Sequence, residues 1–432
     1  MRRTTTHQAL FAVSLFASFA ALGAGCGDDT SGTGGGGQGG GGPEACGEGA
    51  LPQGCSVAVS PSDDDTTTIQ TALIEAQSGD VVCLCPGNYA VENRLSLTVP
   101  NVTIRGAGAT RDEVVIDFAG QLAGDAGLAV TADGFVAERF SLKNTPGDGI
   151  VVTGAEGVEF RDLKVSWDAG SVTSNGAYAV YPVKSRNVLI EDCEVVGAAD
   201  AGVYVGQSEF AIVRNNDVHA NVAGIEIENT TYAEVYGNKA YDNTAGVLVF
   251  TLPKLEKTDG AFANVHDNEI YDNNRANFGE AGTVVASIPA GVGVFVAASD
   301  DTEVHDNVIR DHGSSGIVVV SYQTFGVLLG ESELDPTTDP YVQRTYIYAN
   351  TFTNNGTSPG FPIDLIPQRP IEDVIWDGIV DAQGAAADLC LSSTPPSFRN
   401  INGVANIDQA QNHSTDTTPH ECELPLQAPI SF

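Results

Sequence analysis

Residues 221–250 read NVAGIEIENTTYAEVYGNKAYDNTAGVLVF. The stretch holds one full period of the chain, because the Gly-led apolar strand at Gly224 returns at Gly246, 22 residues later. Between them, about 11 residues on, VYGNK from Val235 is a second short strand closed by a turn. Alternating apolar residues bounded by Gly, Asn and Asp are the pattern of short β-strands joined by turns.

The same unit recurs outward in both directions. Gly-led strands start at Gly127, Gly149, Gly176, Gly202, Gly224, Gly246, Gly291 and Gly316, with spacings of 22, 27, 26, 22, 22, 45 and 25. Second strands begin at Val213, Val235, Val265, Val304 and Ile347. A 22-residue period is too short for a helical-hairpin repeat and lacks the leucine-rich consensus. It predicts an all-β fold, a right-handed parallel β-helix with one coil per period, coils about 4.8 Å apart, and apolar side chains in the bore. Three residues after each second-strand anchor stands an Asn: Asn216, Asn238, Asn268, Asn307 and Asn350. Stacked coils would turn these into an amide ladder, with Cys193 as a buried free thiol at the rung before the first. Residues 66–80 (TTTIQTALIEAQSGD) read as an amphipathic helix ending at Gly79 that caps the first coil.

The ends carry other information. Arg2 and Arg3 precede the apolar run ALFAVSLFASFAALGA (residues 9–24), a signal peptide spanning 1–25. The following Cys26, in LGAGCGDD, is expected to be lipidated, placing the chain in the cell envelope, at the outer membrane or in the periplasm; without that modification it would be secreted. Residues 27–45 are a Gly-rich tether reaching about 24 Å. Residues 46–100 are read as cap and first coil, 101–360 as the β-helix, and 361–432 as a tail packing on it. Export permits disulfides. Cys390 and Cys422, alone in the tail, are expected to pair; Cys46, Cys55, Cys83 and Cys85 allow three connectivities.

Twenty Lys+Arg against 56 Asp+Glu give a net charge of −36 over 432 residues, or −38 once the leader and its two arginines are removed. Such a chain repels nucleic acid. It also disfavours an anionic polysaccharide, unless a cation or basic patch intervenes. The chain is read as a monomer.

The cap, in the arrangement IQ-AL-A-GD-V-PG-Y, with the repeats behind it resembles the pectate-lyase-like superfamily of right-handed β-helices. Residues 147–422 resemble an uncharacterised family of exported bacterial parallel β-helix repeat proteins. The strings that carry this include NGAYAVYPV, NVLIEDCEVVGAADAGVYVGQS, NVAGIEIEN, NTAGVLVFTLP, IPAGVGV, IWDGIVD and PHECELP. The resemblance implies fold and export but assigns no reaction. The wider superfamily includes polysaccharide lyases, mannuronan C5-epimerases and periplasmic proteins that help build copper sites. The DPHD motif of the epimerases is absent, as is a tight Asp cluster for calcium beside a catalytic Arg.

Strand alternation then predicts a site. Ile225 and Ile227 point into the bore, Glu226 and Glu228 outward. The outward row is Ala129, Val151, Tyr178, Tyr204, Glu226, Leu248, Gly293 and Val318, with a second row of Val180, Gly206, Glu228, Phe250 and Phe295. Insertions at 168–175 and 273–289 precede Gly-led strands, and those at 252–261 and 322–344 follow them. They predict a two-walled trough over this face. Tyr178, Tyr204, Gln207, Lys184, Glu226 and Phe250 are candidates for binding a polysaccharide. Glu226, Glu228 and Tyr204 are candidate catalytic groups for a glycoside hydrolase, lyase or epimerase. Two alternatives stand beside this reading. One is a surface structural or display protein. The other is a metal-handling accessory built on His266 and His305, which hold equivalent places in successive VHDN turns. No cofactor is identified; the acidic turns could hold calcium through carboxylates and carbonyls.

Overall fold

The computed structural model describes residues 46, 51–330, 334–381 and 389–432. The signal peptide, Cys26 and the tether lie outside the described residues. The body winds into three parallel sheets of 12, 11 and 10 strands, and every pairing between named strands is parallel. One coil shows the plan. The strand Ala223–Glu228 lies in the 11-stranded front sheet, Thr231–Tyr236 in the 12-stranded flank sheet, and Lys239–Tyr241 in the 10-stranded back sheet. The Gly-led strands thus share one sheet. Ile225 and Ile227 are 0% and 1% exposed, in a single apolar column that runs the length of the bore.

Each corner of the coil is tied to the next by a column of polar side chains. At the flank-to-back corner, the Asn216 amide donates to Asn238 Oδ1 at 2.9 Å; Asn238, Asn268 and Asn307 repeat the bond to the next Asn, ending at Asn350. Each Oδ1 also accepts the backbone N–H of the rung below, and Asn216 does this for Cys193, whose thiol is buried and free. The residue before each of these rungs is in the left-handed region, which Asn215, Gly237, Asp267 and Asp306 tolerate.

Two further columns were not read from the sequence. Asn221, Asn243 and Asn273 form a second amide ladder at the back-to-front corner. His312 continues it by donating from Nε2 to the Ile270 carbonyl, where an Asn amide would sit; burial pushes this imidazole down to about 4, so it is neutral. Ser185, Ser208 and Thr230 relay backbone N–H to hydroxyl bonds at the third corner.

The cap helix runs Asp65–Glu75, with Asp64 accepting from the Thr67 N–H at 3.0 Å. It stops short of Gly79 because the Asp80 carboxylate takes the Gln77 N–H and closes a turn there. Ile69 and Leu73 plug the bore. Disulfides join Cys46 to Cys85 and Cys55 to Cys83 beside this cap. At the other end, Val374–Trp376 and Phe398–Asn400 extend the front sheet and Leu389–Leu391 the flank sheet, with Cys390 bonded to Cys422. Past Cys422 the chain lies across the flank sheet: Gln427 N–H donates to Glu303 and Ile430 N–H to Glu234.

Removing a middle rung strands several buried groups at once. Asn238→Ala deletes partners of the Asn216 amide and N–H and of the Val213 carbonyl. It is expected to lower unfolding stability by about 2–4 kcal/mol in urea titrations, more than Asn350→Ala at the end of the ladder. Equal losses at the two positions would refute cooperative stacking along the column.

Candidate functional site

The outer face of the front sheet is where the long insertions converge, and its register differs from the expected one at two coils. Val151 pairs with Tyr181, not Tyr178, and Leu248 pairs with Phe295, not Gly293. The first outward row is therefore Ser96, Ala129, Val151, Tyr181, Tyr204, Glu226, Leu248, Phe295 and Val318. Val180 lies in the bore and Ala297 takes the expected place of Phe295 in the second row. The physical reason is common to both slips. Gly176 and Gly291 follow insertions and belong to the turn, and Gly291 has φ +86°. The strand position is filled by Ala179 and Gly293.

The trough is covered over its C-terminal half. Leu248, Phe250, Phe295 and Val318 pack beneath Val285, Ile288, Phe325, Ile363 and Ile366 in a second apolar core outside the bore. The short helix Tyr322–Leu328 brings Phe325 there. The buried Asp377 carboxylate holds its start by accepting from the Ser321 N–H and hydroxyl and from the Thr324 hydroxyl. Phe250 is consequently buried against Phe325 and offers no binding surface. Gln207 and Lys184 hold the 252–261 loop: Gln207 Oε1 accepts from the Glu256 and Lys257 N–H groups, and Lys184 pairs with Glu256.

The N-terminal half is open. A groove of about 440 Å³ runs over Ser96, Ala129 and Val151, lined also by Arg94, Thr98, Asp125, Asp148 and Tyr181. It ends against three mutually packed rings, Tyr178, Tyr181 and Tyr204, with centroids 4.5–4.8 Å apart. Tyr204 lies along its own strand over Gly206, where an added Cβ would meet its hydroxyl at 2.1 Å. It therefore reaches the coil position that pairs with Glu228.

Four carboxyl groups gather at this end. Burial pushes Asp148 up to about 6, with Asp125 adding to the rise and the Tyr178 N–H, 3.0 Å away, opposing it. Burial likewise carries Asp200 and Glu228 up to about 7 each, and Glu226 well above the usual range. Tyr178 faces Asp200 and Tyr204 faces Glu228, each easing the cost of the charged form. Asp200 Oδ1 and Glu226 Oε2 are buried without a hydrogen-bond partner. Glu226 and Glu228, 2% and 7% exposed, are thus not on the open floor but behind the tyrosines. The carboxyls that reach the groove are Asp148 and Asp125. The latter is held low by its hydrogen bond to Arg94 at 2.7 Å, so burial and pairing drive the two apart. The sequence signal for them was the Asp repeated at the head of Gly-led strands, in DAG (Asp125), DGI (Asp148) and DAG (Asp200).

His266 and His305 stand in one column with Tyr236 and Tyr348, rings parallel and 4.5–5.1 Å apart. Each Nδ1 is 2.8 Å from its own neighbouring Asp, so the imidazoles meet through their faces, not their nitrogen lone pairs. Among the described residues no group of three or more His, Cys, Asp or Glu is arranged to hold a metal.

The family model for a right handed beta helix region matches residues 142–332. The fold is the right-handed parallel β-helix that the repeats predict. Among solved structures it is similar to the A-modules of two mannuronan C-5 epimerases of Azotobacter vinelandii, AlgE4 and AlgE6. Identity to each is 19%, and the TM-scores are 0.50 and 0.53. The matches cover 76% of this chain and 89% and 88% of those modules. At that identity the likeness is one of fold.

The raised carboxyls give a signed pH dependence. Folded Asp148, Asp200 and Glu228 keep protons that the unfolded chain has released, so their contribution favours folding at low pH and is lost as pH rises from about 4 through 7. The urea midpoint should fall between pH 5 and 8, and Asp200→Asn should flatten that fall. An unchanged slope in the variant would mean that Asp200 titrates normally.

Proposed function

We propose that this protein binds a polysaccharide in the open groove of the front sheet and acts on it by acid–base chemistry. The observation that carries the reading is the groove's end: three packed tyrosines and a cluster of buried carboxyls on the outer strand face. Aromatic faces suit the apolar faces of sugar rings, and carboxyls and threonines suit their hydroxyls. Asp148, whose buried carboxyl keeps its proton up to about pH 6, is the proton donor to a leaving or ring oxygen; Asp125, ionised beside Arg94, is the groove's base. The fold shared with two mannuronan C-5 epimerase modules is consistent with work on a polymer of sugars.

The covered half of the trough favours the display reading for that half alone, because its floor is filled by the protein's own loops. The stacked column of His266 and His305 gives the metal-handling reading no support. The same proposal takes the chain to the cell envelope, held through lipid on Cys26 by the tether; the support is the LGAGC junction after a basic and apolar leader. Cys26→Ser is expected to move the protein from the membrane pellet to the soluble fraction, and an unchanged pellet would rule out this anchor.

Screening against a glycan array should give a carbohydrate hit whose affinity falls about tenfold or more in Tyr181→Ala. Turnover of that glycan should fall about 10²–10⁴-fold in Asp148→Asn with little change in binding. Silence across neutral and acidic glycans would overturn the function.

A further inference from the structure

The groove is blind at one end. Its floor is small over three successive coils, Ser96, Ala129 and Val151, and then meets the Tyr181 ring. Beyond Tyr181 the same row continues as Tyr204, Glu226, Leu248, Phe295 and Val318, every one buried. The roof over the later members, built from Val285, Phe325 and Ile363 among others, is part of a continuous apolar core. A polymer laid along the coils, advancing about 4.8 Å per coil, cannot pass this wall without unpacking that core.

We infer that the groove recognises the end of a polysaccharide chain, with the terminal sugar against Tyr181 and Asp148. This rests on the polysaccharide reading above. Through-going polymer is excluded by the wall; a chain terminus is not. The chemistry of the wall agrees. A terminal sugar carries a free hydroxyl where an internal one carries a linkage. Partner-less oxygens sit at this same end, Glu226 Oε2 and Asp200 Oδ1, behind rings that belong to the same electrostatic cluster as Asp148. A buried acceptor without a donor is costly, and a terminal hydroxyl at this wall is a donor that a linked oxygen is not. An internal residue keeps its other ring hydroxyls, but the oxygen in its linkage has no hydrogen to give at that point. The two carboxyls that reach the groove, Asp148 and Asp125, also favour an uncharged terminal sugar, because a uronate at that position would add a like charge beside them.

The test uses the mature chain and linear oligosaccharides of the array hit in three forms: unmodified, reduced to the alditol at one end, and methylated at the terminal hydroxyl of the other. The long parent polymer is titrated beside them. Capping one of the two ends should weaken binding about tenfold or more, and capping the other should leave it unchanged. Affinity per chain should be the same for oligomer and polymer. In Tyr181→Phe, which keeps the ring and loses the hydroxyl, the difference between capped and free ends should shrink. If a glycan binds but neither cap matters, and polymer affinity per chain grows with the number of internal sugars, the chain-end inference is wrong while the binding function stands. If no glycan in any form binds, the function itself is wrong.

Discussion

Everything in this molecule depends on axial register, the requirement that each coil land its strands on those of the coil below. Parallel strands supply the backbone bonds, but a parallel ladder alone does not say where the chain must bend. The corners do. Three columns, two of amides and one of hydroxyls, connect side chain to backbone from coil to coil. A rung offset by one residue would bury a partner-less amide and expose an apolar bore residue in the same step. Register is thus enforced twice in each coil, by the polar corners and by the apolar bore.

With the bore and corners carrying the fold, the outer face of the front sheet is free to be specialised. The chain uses it in two ways. Over the later coils, insertions fold back and build a second apolar core, so this side is sealed. Over the earlier coils no described residue roofs the strands, and small floor residues leave a channel. The boundary between the halves falls where the tyrosines and carboxyls stand. Both the groove's shape and its chemistry are therefore set at one place, where covering begins.

The sequence was informative wherever a residue type has one physical use. Gly leading an apolar strand, Asn three residues past a second-strand anchor and Cys193 at the missing rung all describe backbone corners and were legible at the level of fold. Legibility failed where an insertion blurred the phase. Gly176 and Gly291 have the same neighbours as true strand leaders, and only the pairing distinguishes a turn glycine from a strand glycine. The second amide ladder was equally visible, since Asn221 and Asn243 each stand three residues before the Gly. Its insertions fall between the Asn and the next Gly at Asn273 and Gly291, which hides the spacing beyond two rungs. Burial of the outward row was not legible in any local pattern. Val285, Ile288, Phe325 and Ile363 look like apolar residues in loops until the loops are seen to share one surface. For that reason Glu226 and Glu228 read as solvent-facing acids, whereas Asp148 and Asp125, at strand heads, drew no notice.

The buried carboxyls do not explain themselves as architecture. Burying an acid without a cation costs stability at neutral pH, and apolar replacements would pack beside Leu248 and Phe250 at no such cost. Two carboxylates elsewhere are compensated: Asp377 accepts from backbone and hydroxyl donors, and Glu372 is paired with the buried Arg399. Asp200 and Glu226 each keep a buried oxygen with no partner. Perturbed groups of this kind concentrate where a molecule does chemistry, because a proton held near neutrality is a proton that can be given up. The stacked coils, tied at three corners, supply the rigidity that lets the cluster persist against its own cost.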